Sequence, residues 1–264
     1  MVTYTKTETL LKVDNVHLSY GDKLILRDIN FEIKDIVRPG IKQGQVISLI
    51  GRSGIGKTQL FKLMAGLNQP TSGKITINNN KPVEAGDMGV VFQNYYLFEW
   101  RTIKQSLMLS AKMNPALKGK EAAAIDKYAN DFDLKDHLNK YPQQLSGGQK
   151  QRVSIIQQLL NGSKFLLLDE PFSGLDIIVK EKVVELFQQV SISDEQLTMV
   201  IVSHDIENAV LISDTAFVLG LEGNKPGSVI KKEKDLIERG LAWDAHCNTK
   251  PAFEETMKEI KSLM

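Results

Sequence analysis

The chain has 264 residues, 42% of them apolar and 25% charged, a composition that is typical of a globular domain and excludes a disordered or fibrous protein. Its 33 basic and 32 acidic residues leave a net charge of +1, so no overall charge excess favours nucleic acid or anionic lipid. The apolar runs are far shorter than the roughly 20 residues that span a bilayer, and the first residues do not resemble a signal peptide. We therefore expect a cytosolic protein. A single cysteine, Cys247, excludes an internal disulfide and a thiolate metal cluster.

The first half of the chain predicts strands that lead into a loop and a helix. Alternating apolar segments, turn residues and a fully apolar run indicate these elements in chain order. The predicted elements are an antiparallel hairpin of strands 11–19 and 26–33 with a turn at 20–22, an extended surface loop over 35–43, a buried strand over 45–50 and a helix over 58–65.

The second half predicts a helical stretch followed by alternating strands and helices. Residues 93–160 carry helical patterns, with one helix over 120–132. The later predicted elements are strands at 165–169, 198–203 and 214–219 and helices at 177–190, 206–212 and 251–264. This order predicts an α/β fold whose mostly parallel sheet is covered on both faces.

A phosphate-binding loop follows the first buried strand. Residues 51–58 match the pattern G-x-x-x-x-G-K-[ST] and read Gly51, Arg52, Ser53, Gly54, Ile55, Gly56, Lys57 and Thr58. In this pattern the backbone N–H groups surround a phosphate, the lysine reaches its terminal oxygens and the hydroxyl holds Mg²⁺. The strand before the loop and the helix after it are the context that such a site requires.

Polar side chains end two later strands. Asp169 and Glu170 follow an apolar strand, so we expect Asp169 beside the phosphate-binding loop as a Mg²⁺ ligand and Glu170 as the base that polarises water. His204 ends the next strand on the same side of the sheet, from which it can reach a γ-phosphate. The alternatives are a solvated strand end for the two carboxylates and a purely structural histidine.

With these motifs in this order, the chain resembles the nucleotide-binding subunit of an ABC transporter over nearly its whole length. In that family Gln93 occupies the Q-loop, residues 173–176 the D-loop, and His204 the position of the switch histidine. Tyr20 lies where the family stacks an aromatic ring on adenine. The signature motif of the family corresponds to Leu145, Ser146, Gly147, Gly148 and Gln149.

The resemblance implies ATP and Mg²⁺ as cofactors and a set of site residues. The implied nucleotide contacts are Tyr20, Gly51, Arg52, Ser53, Gly54, Ile55, Gly56, Lys57, Thr58, Gln59, Ser146, Gly147, Gly148, Gln149 and Asp176. The implied metal ligands are Thr58, Gln93 and Asp169, and the implied catalytic residues are Glu170, His204, Gln93 and Lys57. We expect one ABC ATPase domain over 1–264, with a P-loop NTPase core at 1–92 and 161–230, a helical subdomain at 93–160 and a helical extension at 231–264.

The resemblance also implies a head-to-tail dimer, either of two copies or with a related chain. Ser146, Gly147 and Gly148 offer a hydroxyl and bare N–H groups, a second anion site that the ATP enclosed by residues 51–58 cannot use. A second subunit supplies the missing partner. The alternative is a plain turn before a helix.

Further partners follow from the same resemblance. We expect a transmembrane permease at the cytoplasmic face of the inner membrane, a periplasmic or lipoprotein solute-binding protein if the system imports, and no direct nucleic acid contact. The aromatic run at 95–100 suggests a docking cleft for a permease helix, or else the helical subdomain's own small core.

Short runs at 100–102, 204–210 and 225–228 look like the importers of nitrate, sulfonate, taurine and bicarbonate. An exporter or lipoprotein-release ATPase is the alternative, and a soluble ABC ATPase acting on DNA or ribosomes, or a cassette without turnover, fits less well. Three departures from the family pattern are Gln59 in place of Thr or Ser, Gln157 in place of Arg, and an insertion over 35–43.

Overall fold

The structure is a computed structural model that describes residues 4–78, 80–244 and 246–264. Within these residues the strands are β1 Thr5–Tyr20, β2 Lys23–Val37, β3 Gln45–Ile50, β4 Ser72–Ile77, β5 Lys81–Pro82, β6 Gly89–Val91, β7 Phe165–Asp169, β8 Thr198–Ser203, β9 Thr215–Gly220 and β10 Val229–Asp235. The helices are α1 Lys57–Met64, α2 Ile103–Met113, α3 Glu121–Asp131, α4 Gly147–Leu160, α5 Ile177–Ser193, α6 Ile206–Ile212 and α7 Pro251–Leu263.

The predicted hairpin is confirmed, and it forms half of a four-stranded antiparallel sheet. β1 pairs with β2 around a turn in which Tyr20 lies opposite Lys23, and the strand order is β2-β1-β4-β5. Both strands are longer than predicted, since β1 already begins at Thr5 and β2 continues through Val37. The prediction of a surface loop over 35–43 is therefore wrong for residues 35–37, which continue the strand, and Ile36 there is buried.

A six-stranded sheet carries the polar strand ends, and its order is β10-β9-β3-β8-β7-β6. All neighbouring pairs from β9 to β6 are parallel, and β10 pairs antiparallel with β9. This confirms the predicted α/β fold with a mostly parallel sheet. β3 and β8 are paired in register from Gln45 opposite Thr198 to Ile50 opposite Ser203. The carboxyl ends of these two central strands therefore meet at one edge.

Each face of this sheet is covered by a different layer. One apolar core lies between the two sheets and encloses α1, with Phe61 and Leu60 fully buried. Another core joins α2, α3, α4 and α5 to the opposite face through residues such as Leu107, Ile156 and Leu168. Residues 93–160 are largely helical, as the sequence predicts, and the apolar side chains of α2, α3 and α4 share one core with strands β7 and β8.

A buried charge cluster connects the segment after β2 to the start of β9. Asp214 is fully buried and pairs with the Arg38 guanidinium, which is itself buried. The other contacts of this carboxylate are with the backbone N–H of Val46 at 2.8 Å and the Trp243 indole N–H at 2.7 Å. Burial raises the pKa of Asp214, while Arg38 opposes that shift. Arg38 gives the segment after β2 a structural role that its sequence does not indicate.

The C-terminal region packs against β3 and β9 through a third apolar core. Cys247 is buried in this core together with Phe253 and Ile260 of α7. Burial raises the pKa of the Cys247 thiol. The expected helical extension over 231–264 is wrong for residues 231–235, which belong to strand β10. Across the described residues, no helix has the length and apolar character needed to cross a membrane.

Candidate functional site

A cleft of about 460 Å³ opens where the loop after β3 meets the ends of β7 and β8, a volume within the usual range of ligand pockets. Among the described residues its lining consists of Tyr20, Ile25, Ser53, Gly54, Gly56, Lys57, Thr58, Gln59, Gln93, Glu170, Ser173 and His204. Ten of these twelve were predicted from the sequence. Gly51, Arg52 and Ile55 belong to the same loop without lining the cleft.

The loop over 51–58 owes its shape to its glycines. Gly54 and Gly56 have φ angles of 79° and 105°, values that residues with a Cβ rarely adopt. A Cβ at Gly56 would also lie only 3.0 Å from Leu26 Cδ2. Gly56 is the N-cap of α1, and within the described residues no side chain caps it. The free N–H groups and the dipole of α1 therefore favour an anion at this end of the cleft.

Lys57 is the cation at the floor of the cleft, and its side chain is only 5% exposed. Its ammonium donates to the carbonyl oxygens of Gly51 at 2.9 Å and Arg52 at 3.1 Å. It also pairs with Glu170 Oε1 at 3.1 Å. These contacts fix the ammonium beside the loop's N–H groups, where it can bind a phosphate oxygen.

Glu170 lies at a sharp bend one residue beyond β7. Its φ of 49° is in the left-handed region, and its N–H bonds to the Val202 carbonyl at 2.8 Å. The bend turns the Glu170 carboxylate away from that of Asp169 and toward His204. Its Oε2 lies 2.7 Å from His204 Nδ1 and accepts from the His204 backbone N–H at 3.2 Å. The carboxylate thus bridges Lys57 and His204.

Asp169 and Thr58 form the oxygen pair that the sequence assigns to a metal. The Thr58 hydroxyl lies 3.4 Å from Asp169 Oδ1, and Asp169 is 7% exposed at the end of β7. Burial, followed by the charge of Glu170, raises the pKa of Asp169 to about 6, while Thr58 and Lys57 oppose the shift. One carboxylate and one hydroxyl suit Mg²⁺, which prefers oxygen ligands and keeps its remaining positions for water and phosphate. The residues present therefore fit Mg²⁺.

Gln93 follows β6 and lines the cleft, and its amide donates to the Ser173 hydroxyl at 3.1 Å. This contact joins the loop after β6 to the loop after β7. Ser173 was noted in the sequence as part of the 173–176 segment without a role at the cleft. Its place there could not be inferred, because the contact spans 80 residues.

The motif at 145–149 lies outside the cleft lining. Ser146 caps α4, with its hydroxyl accepting from the Gln149 N–H at 3.3 Å and its own N–H donating to Gln149 Oε1 at 2.9 Å. Apart from the backbone of α4 itself and the adjacent residues, a Cβ added at Gly147 or Gly148 would meet no described atom within 4 Å. Asp176 likewise caps α5 through the Val179 N–H at 2.9 Å. The structure does not bring Ser146, Gly147, Gly148, Gln149 or Asp176 to the cleft of the same chain.

The aromatic run after Gln93 divides into inward and outward side chains. Tyr95 and Leu97 pack against the core that contains α2 and α4. Tyr96 and Trp100 are each 73% exposed. The second alternative from the sequence, packing of the helical part's own core, accounts for the first pair. The exposed pair contacts neighbouring aromatic rings, Tyr96 with Phe92 at 5.6 Å and Trp100 with Phe98 at 5.4 Å between ring centroids.

Ile25 is a cleft residue that sequence reasoning missed. It lies in β2 beyond the hairpin turn, and its Cγ2 would be 3.1 Å from a Cβ at Gly56. In the sequence, Ile25 is only one apolar residue of an alternating strand pattern. This pattern does not indicate that its side chain lies beside the phosphate-binding loop.

Comparison with known proteins assigns the chain to a family. The model of the family described as "ABC transporter" matches residues 35–173. An uncharacterized ABC transporter ATP-binding protein of Bacillus subtilis, YtlC, is 34% identical over 97% of both chains. The nitrate import ATP-binding protein NrtD of Synechocystis sp. is 33% identical over 92% of this chain and 89% of its own.

A bicarbonate transport ATP-binding protein of Synechocystis sp., CmpC, is 37% identical over 83% of this chain. The match spans only 32% of CmpC, about a third of that protein's length. Among solved structures, CbiO1 from Clostridium perfringens, described as part of the ABC transporter complex CbiONQ, has a TM-score of 0.71 at 26% identity over 88% of this chain and 90% of its own. The dimeric ATP-binding cassette MJ0796 bound to ADP and Pi has a TM-score of 0.67 at 26% identity over 86% of this chain and 99% of its own.

Proposed function

This chain belongs to the ABC transporter family, and from this premise we propose that it is an ATP-binding subunit that hydrolyses ATP and drives a membrane permease as a dimer around two ATP molecules. The observation that carries the proposal is the separation of two anion-binding features on one chain. The cleft gathers the phosphate-binding loop and three strand ends, whereas the exposed start of α4 lies outside that cleft.

In the proposed site, Lys57 and the N–H groups at the start of α1 hold the β- and γ-phosphates of ATP. Thr58, Asp169 and Gln93 would hold Mg²⁺, which would supply positive charge to neutralise the phosphates. Asp169 is suited to this role because its burial leaves its charge poorly solvated, and a cation relieves that cost. Tyr20 stacks on the base.

Glu170 acts as the general base toward the attacking water, with His204 and Gln93 orienting the water and the γ-phosphate. The observed ion pair with Lys57 holds Glu170 Oε1 at 3.1 Å from the ammonium. When Lys57 turns to a phosphate, that carboxylate oxygen is released to accept a proton from water. His204, at 2.7 Å from the other oxygen, keeps the carboxylate in place.

The dimer is proposed to pair the cleft of one subunit with residues 146–149 and Asp176 of the other. The open space around Gly147 and Gly148 and the exposed hydroxyl of Ser146 support this, because a phosphate can approach the N-terminus of α4 there. Each subunit supplies both halves, so two copies form two equivalent sites by two-fold symmetry.

The permease is proposed to bind beside α2. A groove of about 530 Å³ runs along this helix, lined by Met108, Leu109 and Arg101, which directly follows the exposed Trp100 in the chain. Exposed aromatic side chains next to an apolar groove are typical of a helix-docking surface. The chain would then lie peripherally at the cytoplasmic face of the inner membrane.

The nitrate and bicarbonate names among the relatives support import of a small anion or organic solute such as nitrate, sulfonate or taurine. An importer of this kind also requires a solute-binding protein outside the membrane. Pull-down of the tagged chain from solubilised membranes tests this part. Co-purification of a multi-span permease with a solute-binding protein is expected, and recovery of the permease alone would argue against import.

The ATP chemistry is tested with Glu170→Gln, which keeps the shape of the side chain and removes the base. Hydrolysis is expected to fall by about 10²- to 10⁴-fold, while light scattering detects an ATP-dependent dimer. Glu195→Gln, at an exposed glutamate outside the cleft, is the control and should hydrolyse ATP as the unmodified chain does. Normal hydrolysis by Glu170→Gln would remove Glu170 from its role, and a monomer with bound ATP would contradict the dimer.

A further inference from the structure

Tyr20 is held in a defined position at the edge of the cleft. It ends β1 at the hairpin turn, and its side chain is 51% exposed. The phenol donates to Gln59 Oε1 at 2.8 Å and accepts from the Asn68 amide at 3.4 Å. Two side chains from outside the hairpin therefore fix the hydroxyl end of this ring.

Both partners of Tyr20 belong to the segment around α1. Gln59 lies in the first turn of this helix, directly after Thr58, and its backbone N–H bonds to the Gly56 carbonyl at 3.0 Å. Asn68 follows the other end of the helix, where its N–H bonds to the Lys62 carbonyl at 3.3 Å. The ring of Tyr20 is thus tied to the same rigid unit that carries Lys57 and Thr58.

The side chain at position 59 has the length that this contact requires. The amide oxygen of glutamine lies two bonds farther from the backbone than a serine or threonine hydroxyl. The sequence departs here from the Thr or Ser usual in the family, and the structure shows where the longer side chain goes. Gln59 contacts Tyr20, an aromatic residue of the cleft lining that does not belong to the phosphate-binding loop.

We infer that Gln59 is a positioning residue for the nucleotide base, which holds the Tyr20 ring at a fixed place relative to the phosphate-binding loop. This inference rests on the proposed nucleotide site. An aromatic ring that is already oriented loses less conformational entropy when a base stacks on it, so fixing the ring raises affinity for the base without touching the phosphates.

The solvent exposure of this contact argues against a role in folding alone. The Tyr20–Gln59 hydrogen bond lies at the surface, where water replaces either partner, so its loss removes little folding free energy. A stacked base would cover part of the Tyr20 ring, so water would compete less for the Tyr20–Gln59 hydrogen bond. The contact should therefore matter more to the nucleotide complex than to the free protein.

The test is a double-mutant cycle with Tyr20→Phe, which keeps the ring, and Gln59→Met, which keeps the length of the side chain. Dissociation constants are measured by calorimetry for Mg-ATP and for inorganic tripolyphosphate, which has no base. We expect each single variant to weaken ATP binding about 3-fold, and the double variant to weaken it no further. Tripolyphosphate should bind all four proteins equally. Gln189→Met, on the exposed side of α5, is the control and should bind ATP as the unmodified chain does.

Equal losses for ATP and tripolyphosphate would overturn the inference, because they would mean that Gln59 supports the loop rather than the base. Additive losses in the double variant would also overturn it. Failure of the unmodified chain to bind either compound would refute the proposed nucleotide site itself. Normal ATP binding without coupling between Tyr20 and Gln59 would refute only this inference.

Discussion

Asp169 carries a carboxylate in a place that disfavours its charge. It is 7% exposed, it is the last residue of a fully buried strand and its neighbour Glu170 is also acidic. A metal ion would compensate that cost, and in the free protein the Thr58 hydroxyl at 3.4 Å is a weak substitute. The residue thus lowers stability for the sake of the site, as functional groups often do.

Asp169→Asn should stabilise the free protein at neutral pH, with a gain that disappears in acid. The pKa of Asp169 is raised from 3.8 to about 6, so the folded state holds the proton more tightly than the unfolded state. The resulting stability is present below the unfolded pKa and is lost as pH rises through about 6. We expect a gain of about 1–2 kcal/mol at pH 7.5 from urea unfolding, less than the ~3 kcal/mol of the whole shift.

The exposed Asp126 provides the control, since Asp126→Asn should leave the pH dependence of unfolding unchanged. A gain for Asp169→Asn that is equal at pH 4.5 and pH 7.5 would mean that burial of charge is not its source. A loss of stability at both values would show that the carboxylate is compensated in the free protein.

Two helices of this chain begin with the same capping arrangement. Thr102 and Gln105 exchange side-chain and backbone hydrogen bonds at the start of α2, at 3.3 and 2.9 Å. Ser146 and Gln149 repeat these distances at the start of α4. Only the α4 pair lies in the motif that we assign to the ATP of a second subunit. A substitution at the α2 pair therefore shows the effect of losing a helix cap without losing an ATP contact.

Ser146→Ala and Thr102→Ala should each lower the free energy of unfolding by about 1 kcal/mol, because each removes one helix cap. Only Ser146→Ala should also weaken ATP-dependent dimerisation, as measured by light scattering in the Glu170→Gln background. Equal effects of the two substitutions on the dimer would limit Ser146 to a capping role.

The elements that sequence patterns predicted are those with enough apolar alternation to be recognised. The hairpin, the buried strands and the helices after residue 93 belong to this class. β4, β5 and β10 were missed: β4 has buried apolar side chains only at Ile75 and Ile77, β5 has two residues, and the one buried residue of β10 is Lys234. Such strands depend on pairing with a neighbouring strand, as β4 pairs with β1 and β5 with β4, and this pairing is not a local property.

The candidate site also has one part that the sequence predicts and another part that it does not predict. Residues 51–58 form a continuous motif whose glycines dictate its conformation, so the sequence predicts it directly. The contacts of Gln93 with Ser173 and of Tyr20 with Gln59 join residues 80 and 39 positions apart. They depend on how the strands are ordered. The boundaries of the expected subdomains, and the roles of the individual site residues, stay predictions.

The buried charge pair of Arg38 and Asp214 joins distant parts of the described chain. It joins the segment after β2, the start of β9 and Trp243, and both charged groups are buried. A buried carboxylate without its cation is costly, whereas a neutral pair of similar shape is not. This pair therefore stabilises the contact between parts of the chain 176 residues apart.

Arg38→Met should lower the free energy of unfolding by about 3–5 kcal/mol in urea titrations, since it leaves the Asp214 carboxylate buried and unpaired. The double variant with Asp214→Asn should recover a large part of that loss. Lys225→Met, which breaks an exposed pair with Glu222, should cost less than about 1 kcal/mol. A similarly small loss for Arg38→Met would show that water reaches Asp214.

The burial of Cys247 is expected to make the natural chain react slowly with thiol reagents. The thiolate is the reactive form, and both the position of this residue inside the C-terminal core and its raised pKa suppress it. A cysteine introduced at Gly147, which is exposed, would then be the one readily labelled thiol without prior removal of the native residue. Added together with a cysteine at Ser53, it would allow oxidative crosslinking to report on a non-reducing gel whether the loop of one copy meets the start of α4 in another.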